Sequence, residues 1–371
     1  MTLSSIDLEA LREIAGQFCI AGDFVQADAI LTGHINDTYR SAFRTPQGTR
    51  RYIHQRINHH VFKQPEQVME NIQRVTAHAR QRVLAEGGDA ARRVLALVNT
   101  RAGQCYHKTA GGEYWRTYHD IEGARSYEII TEPRQVYNAA FAFGQFASLL
   151  EALPGPPLHE VIANFHHTPL RCAAFQQAVQ ADHAGRAHSV QAEIDFAQAR
   201  QAEAAVVTEL LASGSLPTRV THNDTKLNNV LIDDHSGEGI CVIDLDTVMP
   251  GSLLYDFGDL VRMGATTAAE DETDLDQVSL DLERFDWLAH GYLDGACQLL
   301  VPAEKDLLAF AARLITFEQG IRFLSDYLNG DVYYKTQRPR QNLDRARVQF
   351  KLLREMEQQQ GKMEAIIRSA N

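Results

Sequence analysis

The dominant hydrophobic period of this chain shifts from strand-like to helical close to Gly123, and that shift limits the fold to two unlike lobes joined in the middle. Ahead of it, after a short helix carrying Leu8, Leu11, Ile14, Ala15 and Phe18 with Ser4 or Ser5 as its cap, the pattern is strand-like. Strands are expected at Ala29–Leu31, Tyr39–Phe43 and Arg51–Ile57, with a turn at Thr45-Pro46-Gln47-Gly48, and again at Val94–Val98, Gln104–Lys108 and Glu113–Ile121. One helix interrupts them, opened by Pro65 and closed by Gly87-Gly88. Beyond Gly123 the period is helical, over Arg134–Leu150, Leu170–Ala184, Val190–Ala212 and most of the C-terminal part, save a strand-rich patch at Val220–Met249. The expected class is α+β. Residues 1–120 form a small, mainly antiparallel sheet lobe and residues 121–371 a larger helical lobe, with a ligand cleft between them.

Composition narrows the partners. With 36 basic and 48 acidic residues the net charge is -12, which excludes a general nucleic-acid binder relying on clustered basic charge. Five widely spaced cysteines without a C-x-x-C pair read as reduced thiols. The acidic N-terminus is no signal peptide, and Ala139–Leu150 is too short to span a bilayer. A soluble, cytoplasmic protein without membrane or nucleic-acid partners is expected.

The chemistry concentrates in His222-Asn223-Asp224-Thr225-Lys226-Leu227-Asn228-Asn229, followed by two apolar runs around the turn Asp234–Gly239 and then by Ile243-Asp244-Leu245-Asp246. A hairpin closing symmetrically around Ser236 and Gly237 sets Asn229 opposite Asp244. An amide oxygen and a carboxylate brought together suit Mg²⁺, which keeps some waters and phosphate oxygens as its other ligands. Asp224 lies just ahead of this pair, where a base can meet an incoming hydroxyl, and Lys226 can set a positive charge against a phosphate.

This H-x-D-x-x-x-x-N spacing resembles the catalytic loop of kinases, in which the Asp accepts the acceptor's proton and the Asn and a downstream Asp hold metal. Ile-Asp-Leu-Asp in place of Asp-Phe-Gly, with no Ala-Pro-Glu segment, points away from protein kinases. It is similar instead to the aminoglycoside phosphotransferase and choline kinase group, whose protein-kinase-like two-lobed fold the resemblance implies. Nucleotide would then sit on the first lobe. Thr32–Tyr39, including Asn36, Asp37 and Thr38, resembles the phosphate-covering loop, and Tyr118–Gly123, including His119 and Ile121, resembles the hinge that meets adenine. The strand lysine expected of such a lobe is missing from Tyr52–Ile57; Arg56 or Gln55 are candidates to replace it, and Glu66 or Glu70 to partner it.

Longer blocks resemble the N-acetylhexosamine 1-kinase family: Thr32–Tyr39, Gln55–Lys63, Val68–Ile72, His222–Asp233, Ile243–Pro250, Tyr255–Asp259 and Arg322–Tyr334. That resemblance implies ATP- and Mg²⁺-dependent phosphorylation of the anomeric hydroxyl of an N-acetylhexosamine. It implies Asp224 as base, Asn229 and Asp244 as metal ligands with Asp246 a further one, and Arg322, Tyr333 and His34 as sugar contacts. Arg322 speaks mildly against a cationic acceptor, though choline, homoserine, an aminoglycoside or another sugar stay open. The missing lysine also leaves open a nucleotide-binding pseudokinase, against which the joint presence of Asp224, Asn229 and Asp244 argues. Asp256 and Asp259 are expected to brace the catalytic loop rather than act in chemistry.

Overall fold

A computed structural model describes residues 8–31, 35–127, 130, 132–296 and 298–370. The expected caps Ser4 and Ser5, and Thr32, Gly33 and His34 of the phosphate-covering loop, lie outside the described residues.

The elements run, in chain order, α1 (Leu8–Ala15), β1 (Asp23–Ile30), β2 (Asp37–Thr45), β3 (Gly48–Ile57), α2 (Pro65–Ala85), α3 (Ala90–Arg93), β4 (His107–Lys108), β5 (Tyr114–His119), β6 (Ala124–Arg125), α4 (Pro133–Leu149), α5 (Thr168–Ala181), α6 (Gln191–Gln198), α7 (Val206–Ala212), β7 (Arg219–Thr221), β8 (Val230–Asp233), β9 (Gly239–Val242), β10 (Met249–Gly251), α8 (Leu253–Gly264), α9 (Leu282–Ala296), α10 (Pro302–Asp306), α11 (Leu308–Leu328) and α12 (Gln341–Ser369). The first lobe is a five-stranded sheet of order β1-β2-β3-β5-β4, each neighbouring pair antiparallel. The remainder is mainly helical, with a three-stranded sheet β6-β8-β9 and the pair β10-β7 set into it.

Side-chain alternation divides the large sheet into two faces. In register, Tyr39, His54 and Thr117 share one face, and Thr38, Gln55 and Arg116 share the other. The first face closes a small apolar cluster of Leu11, Ala15, Phe18, Tyr39, Phe43, Tyr52, Val98 and Trp115. Within it His54 is fully buried, its ring 2.7 Å from Ser41 Oγ and 2.9 Å from Thr117 Oγ1. Burial without a counter-charge pushes its pKa down to about 4. The second face looks into the cleft.

α2 joins the lobes. Val68, Met69, Ile72, Val75, Ala79 and Val83 recur at helical spacing, and all are buried in the main core. From the same helix Asn71 Nδ2 donates to the carbonyls of Val248 at 3.0 Å and His159 at 2.8 Å, fixing the helix to the second lobe. Below it α4 and α9 pack backbone to backbone. A Cβ at Gly144 would stand 2.3 Å from the Tyr292 oxygen, and one at Gly295 would stand 2.1 Å from the Phe141 oxygen. Only glycine permits that approach. Among the described residues no helix is long and apolar enough to cross a membrane.

Several elements differ from the sequence expectation. Val94–Val98 is no strand: it follows the turn α3 and joins the sheet only through a single bridge from Leu97 to Tyr118. Gln104–Lys108 is reduced to two paired residues, and β1 begins at Asp23, well ahead of Ala29. Val190–Ala212 is broken into α6 and α7 by a 3₁₀ turn at Gln201–Glu203, where Arg200 turns aside to pair with Glu357 of α12 at 2.7 Å. The hairpin register is shifted by one: Val230 faces Val242 and Leu231 faces Cys241, with a bulge between Leu231 and Ile232. Asn229 therefore lies opposite Ile243, whose N–H it accepts at 2.9 Å, and Asp244 falls one residue beyond.

Candidate active site

The loop from His222 to Asn229 is held from beneath by buried polar groups. Asp256, in the first turn of α8, accepts the backbone N–H groups of His222 at 2.9 Å and Asn223 at 2.7 Å. Asp259, one turn on, accepts that of Thr225 at 3.1 Å. Both aspartates brace the loop as their position suggested. Asn223 takes a left-handed conformation (φ 65°), which asparagine tolerates, and its side-chain amide donates to the Thr247 carbonyl at 2.9 Å. His222 is buried with Nε2 2.9 Å from the Ile243 carbonyl, tying the loop to the strand before Asp244.

On this base Asp224 stands half-buried. Lys226 Nζ lies 2.9 Å from its Oδ1. Asn229 Nδ2 donates to the Asp224 carbonyl at 2.9 Å and to its Oδ2 at 3.2 Å. Burial works against the Asp224 carboxylate, but the charge and hydrogen bond of Lys226 outweigh it and hold its pKa below the usual range. Asp224 is thus held as an ionised carboxylate at neutral pH.

Asp244, also left-handed (φ 60°), makes no hydrogen bond or ion pair through its carboxylate among the described residues. Burial, then the neighbouring Asp246 and Asp224, push its pKa up to about 7. A carboxylate raised by anionic neighbours, beside an asparagine whose nitrogen is already engaged and whose oxygen is not, is a donor set that suits a hard cation. Among the described residues no cluster of three His, Cys, Asp or Glu side chains forms a ready cage, so a cation here would rely on water and ligand oxygens as well. Asp246, expected as a further metal ligand, points elsewhere. Its carboxylate takes both terminal nitrogens of Arg116 and the amide of Asn36, and it is 3% exposed.

A cavity of about 360 Å³ opens above these groups. Asn228, Asn229, Ile243 and Asp244 form its floor, and Thr38, Ile53, Gln55, Arg116 and Tyr118 its sheet wall. Asn36, His119 and Ile121 line it as well, His119 and Ile121 on the segment joining the lobes. Two buried polar atoms at this wall and floor have no partner among the described residues, Tyr118 Oη and Asn228 Oδ1. Asp37 and Arg56 do not line the cavity. Strand alternation sends them to the opposite face, where Arg56 Nε donates to Asp37 Oδ2 at 2.8 Å and Nη1 to Glu113 at 2.7 Å. Glu70 is likewise engaged outside, 2.8 Å from His159 Nε2, and Glu66 accepts from the Tyr114 hydroxyl.

On the other side of the catalytic loop Arg322, in α11, donates to Gln319 Oε1 at 3.0 Å and stacks over Phe165 and Tyr334. Tyr333 stands 67% exposed on the following loop, its N–H held by Asp326 at 2.8 Å. A buried link joins this region to the loop: Glu318 accepts from Thr168 Oγ1 at 2.7 Å and meets His166 Nδ1 at 3.0 Å, and His166 Nε2 approaches the Asn223 carbonyl at 3.4 Å. Sequence reasoning missed Arg116 and Glu318. For Arg116 a signal exists, since a lone charge inside the apolar run Tyr114–Tyr118 is rarely buried without a partner. For Glu318 no local pattern distinguishes it from a surface helix charge.

The fold has clear counterparts among solved structures. A spectinomycin phosphotransferase, in complex with ADP and spectinomycin, superposes with a TM-score of 0.58 over 99% of each chain at 12% identity. An aminoglycoside phosphotransferase from Alicyclobacillus acidocaldarius gives 0.54 at 16% identity, covering 100% of this chain and 96% of its own. An ethanolamine kinase from Plasmodium vivax gives 0.50 at 14% identity, covering 86% of this chain and 80% of its own. At such identities the likeness establishes the kinase-like fold alone. The sequence itself goes further: the pattern describing the phosphotransferase enzyme family (APH) matches residues 28–293, most of the chain, and the chain therefore belongs to that family.

Proposed function

We propose that this protein transfers the γ-phosphoryl group of ATP to the anomeric hydroxyl of an N-acetylhexosamine, giving the hexosamine 1-phosphate. One observation carries the phosphotransfer reading: Asp224, paired with Lys226, is clamped by Asn229, and that same asparagine lines the floor of the cavity together with Asp244. Asn229 and Asp244 would hold Mg²⁺, whose charge, when bound, offsets that of the nucleotide phosphates. Asp224 accepts the hydroxyl proton as the acceptor oxygen attacks, and Lys226 balances charge gathering on the transferred group. The cavity between sheet and floor takes the nucleotide, with His119 and Ile121 at its base side. Relatives of this fold crystallised with ADP and AMP support a nucleotide there.

The acceptor assignment rests on the walls beyond the loop. Arg322, Arg171 and Arg262 lie within electrostatic reach of one another or of Asp224, and Phe165, Tyr333 and Tyr334 supply ring faces and hydroxyls. Guanidinium donors at Arg322 and Arg171 suit the hydroxyls of a neutral ring and speak mildly against a cationic acceptor, Arg262 being already paired with Asp259 and Glu270. A nucleotide-binding pseudokinase would have no need of an ionised Asp224 held between Lys226 and Asn229. Asp224→Asn tests the assignment: turnover should fall by roughly 10²–10⁴-fold while ATP affinity stays within about twofold. Turnover near the wild-type rate would remove Asp224 as the base.

A further inference from the structure

The sheet lobe lacks a lysine on β3, yet it does not lack a buried cation facing the cleft. Three arginines line the cavity among the described residues, Arg40, Arg116 and Arg125. Arg40 and Arg125 are rim residues, 48% and 64% exposed, paired with Asp120 and Asp234. Arg116 is 1% exposed and lies on β5, directly across from Gln55 of β3.

Arg116 is held as a rigid fork. Its Nε donates to Gln55 Oε1 at 2.9 Å, and Gln55 Nε2 in turn donates to Thr38 Oγ1 at 3.1 Å, so a hydrogen-bonded row crosses β2, β3 and β5. Both terminal nitrogens meet the Asp246 carboxylate of the second lobe, Nη2 at 2.8 Å. These bonds engage three of the five guanidinium N–H groups and leave one on each terminal nitrogen for a further acceptor. Asn36, at the end of the phosphate-covering loop, donates to the same Asp246 carboxylate and accepts the N–H of Asn58 at 3.0 Å. Loop, sheet and second lobe thus converge on one ion pair at the cavity wall, opposite Asn229 and Asp244.

We propose that Arg116, carried on β5 and held by Asp246, is the sheet-lobe cation that binds nucleotide phosphate, in place of a β3 lysine paired to a helix glutamate. This rests on the phosphotransfer reading of the cavity and names the residue that reading leaves unassigned. The pair couples the lobes, because its carboxylate comes from the segment that also carries Asp244 rather than from α2. Glu66 and Glu70 of α2 are free to serve Tyr114 and His159 for that reason. Arginine suits the role better than lysine here, since only a fork can satisfy Gln55, two carboxylate oxygens and a phosphate at once.

The test is the phosphate-dependent part of nucleotide binding. Titration calorimetry with Mg²⁺-ADP and with adenosine gives two affinities, and their ratio isolates the phosphate contribution. Arg116→Met should weaken ADP by at least about tenfold and adenosine by less than about twofold, and Arg116→Lys should recover part of the loss. Arg116→Met/Asp246→Asn removes both charges together, so it guards against misfolding from an unpaired buried carboxylate; thermal melting confirms its fold. The same loss of ratio is expected in it. A folded double variant with the wild-type ratio would overturn the proposal, as would a loss in Arg56→Met that Arg116→Met does not show. Wild-type protein that binds neither ADP nor ATP would instead overturn the phosphotransfer reading on which the proposal rests.

Discussion

Asn229 grips Asp224 at two points, donating to its backbone carbonyl and to its carboxylate from a single amide nitrogen. The grip orients the carboxylate and uses the amide nitrogen of Asn229, a residue that shares the cavity floor with Asp244. One side chain therefore couples the proposed proton acceptor to the proposed metal position. Asn229→Ala should lower turnover more than loss of a metal ligand alone would, and should raise the Mg²⁺ concentration for half-maximal rate. A shift of about 10–100-fold is the scale seen for groups that orient metal ligands. Initial rates over a Mg²⁺ titration check this; an unchanged Mg²⁺ midpoint would detach Asn229 from the metal.

His54 predicts a stability change with pH. Its pKa lies near 4 in the folded sheet, against about 6.5 for an unperturbed histidine. Between those values the unfolded chain binds a proton that the folded chain does not, so stability falls as pH falls from about 6.5 toward 4. The ordinary linkage relation gives about 2 kcal/mol lost between pH 7 and 4.5 from this group alone, as an order of magnitude. Urea unfolding of wild type and His54→Gln at both pH values isolates it, since other groups titrate in both proteins. Equal pH sensitivity in the two would show that His54 is not held neutral by burial.

The crossing of α4 and α9 sets a contrast between two glycines. Gly295→Ala should cost about 3 kcal/mol or more, because the new methyl would meet the Phe141 oxygen at 2.1 Å and the helices must part. Gly361→Ala, exposed in the middle of α12 with nothing within 4 Å, should stabilise by up to about 1 kcal/mol through helix propensity. Thermal or urea unfolding of the two variants side by side tests the packing.

What was legible in the sequence follows from how local each feature is. The meeting of Asp224, Lys226 and Asn229 could be read because all three lie within one turn-strand unit. The small sheet lobe and larger helical portion followed from the change of period at Gly123. The register of β8 and β9 was missed because the turn closes at Asp233 and Glu238, ahead of the centre expected at Ser236-Gly237, and the bulge between Leu231 and Ile232 recovers only part of the offset. Arg56 was a reasonable candidate for the missing cation by position alone, but pleating sends it to the face away from the cleft. Arg116 could not be paired in advance, because its partner Asp246 is distant in the chain and only the tertiary fold brings them together.

The central claim concerns which oxygen receives the phosphoryl group. Incubation with ATP, Mg²⁺ and N-acetylglucosamine or N-acetylgalactosamine, followed by phosphorus and proton NMR of the product, reads this directly. The account predicts a phosphate coupled to the anomeric proton, formed by wild type and lost in Asp224→Asn. Phosphorylation of an aminoglycoside, choline or ethanolamine with no product from either hexosamine would contradict it, as would a phosphate on any other hydroxyl of the sugar.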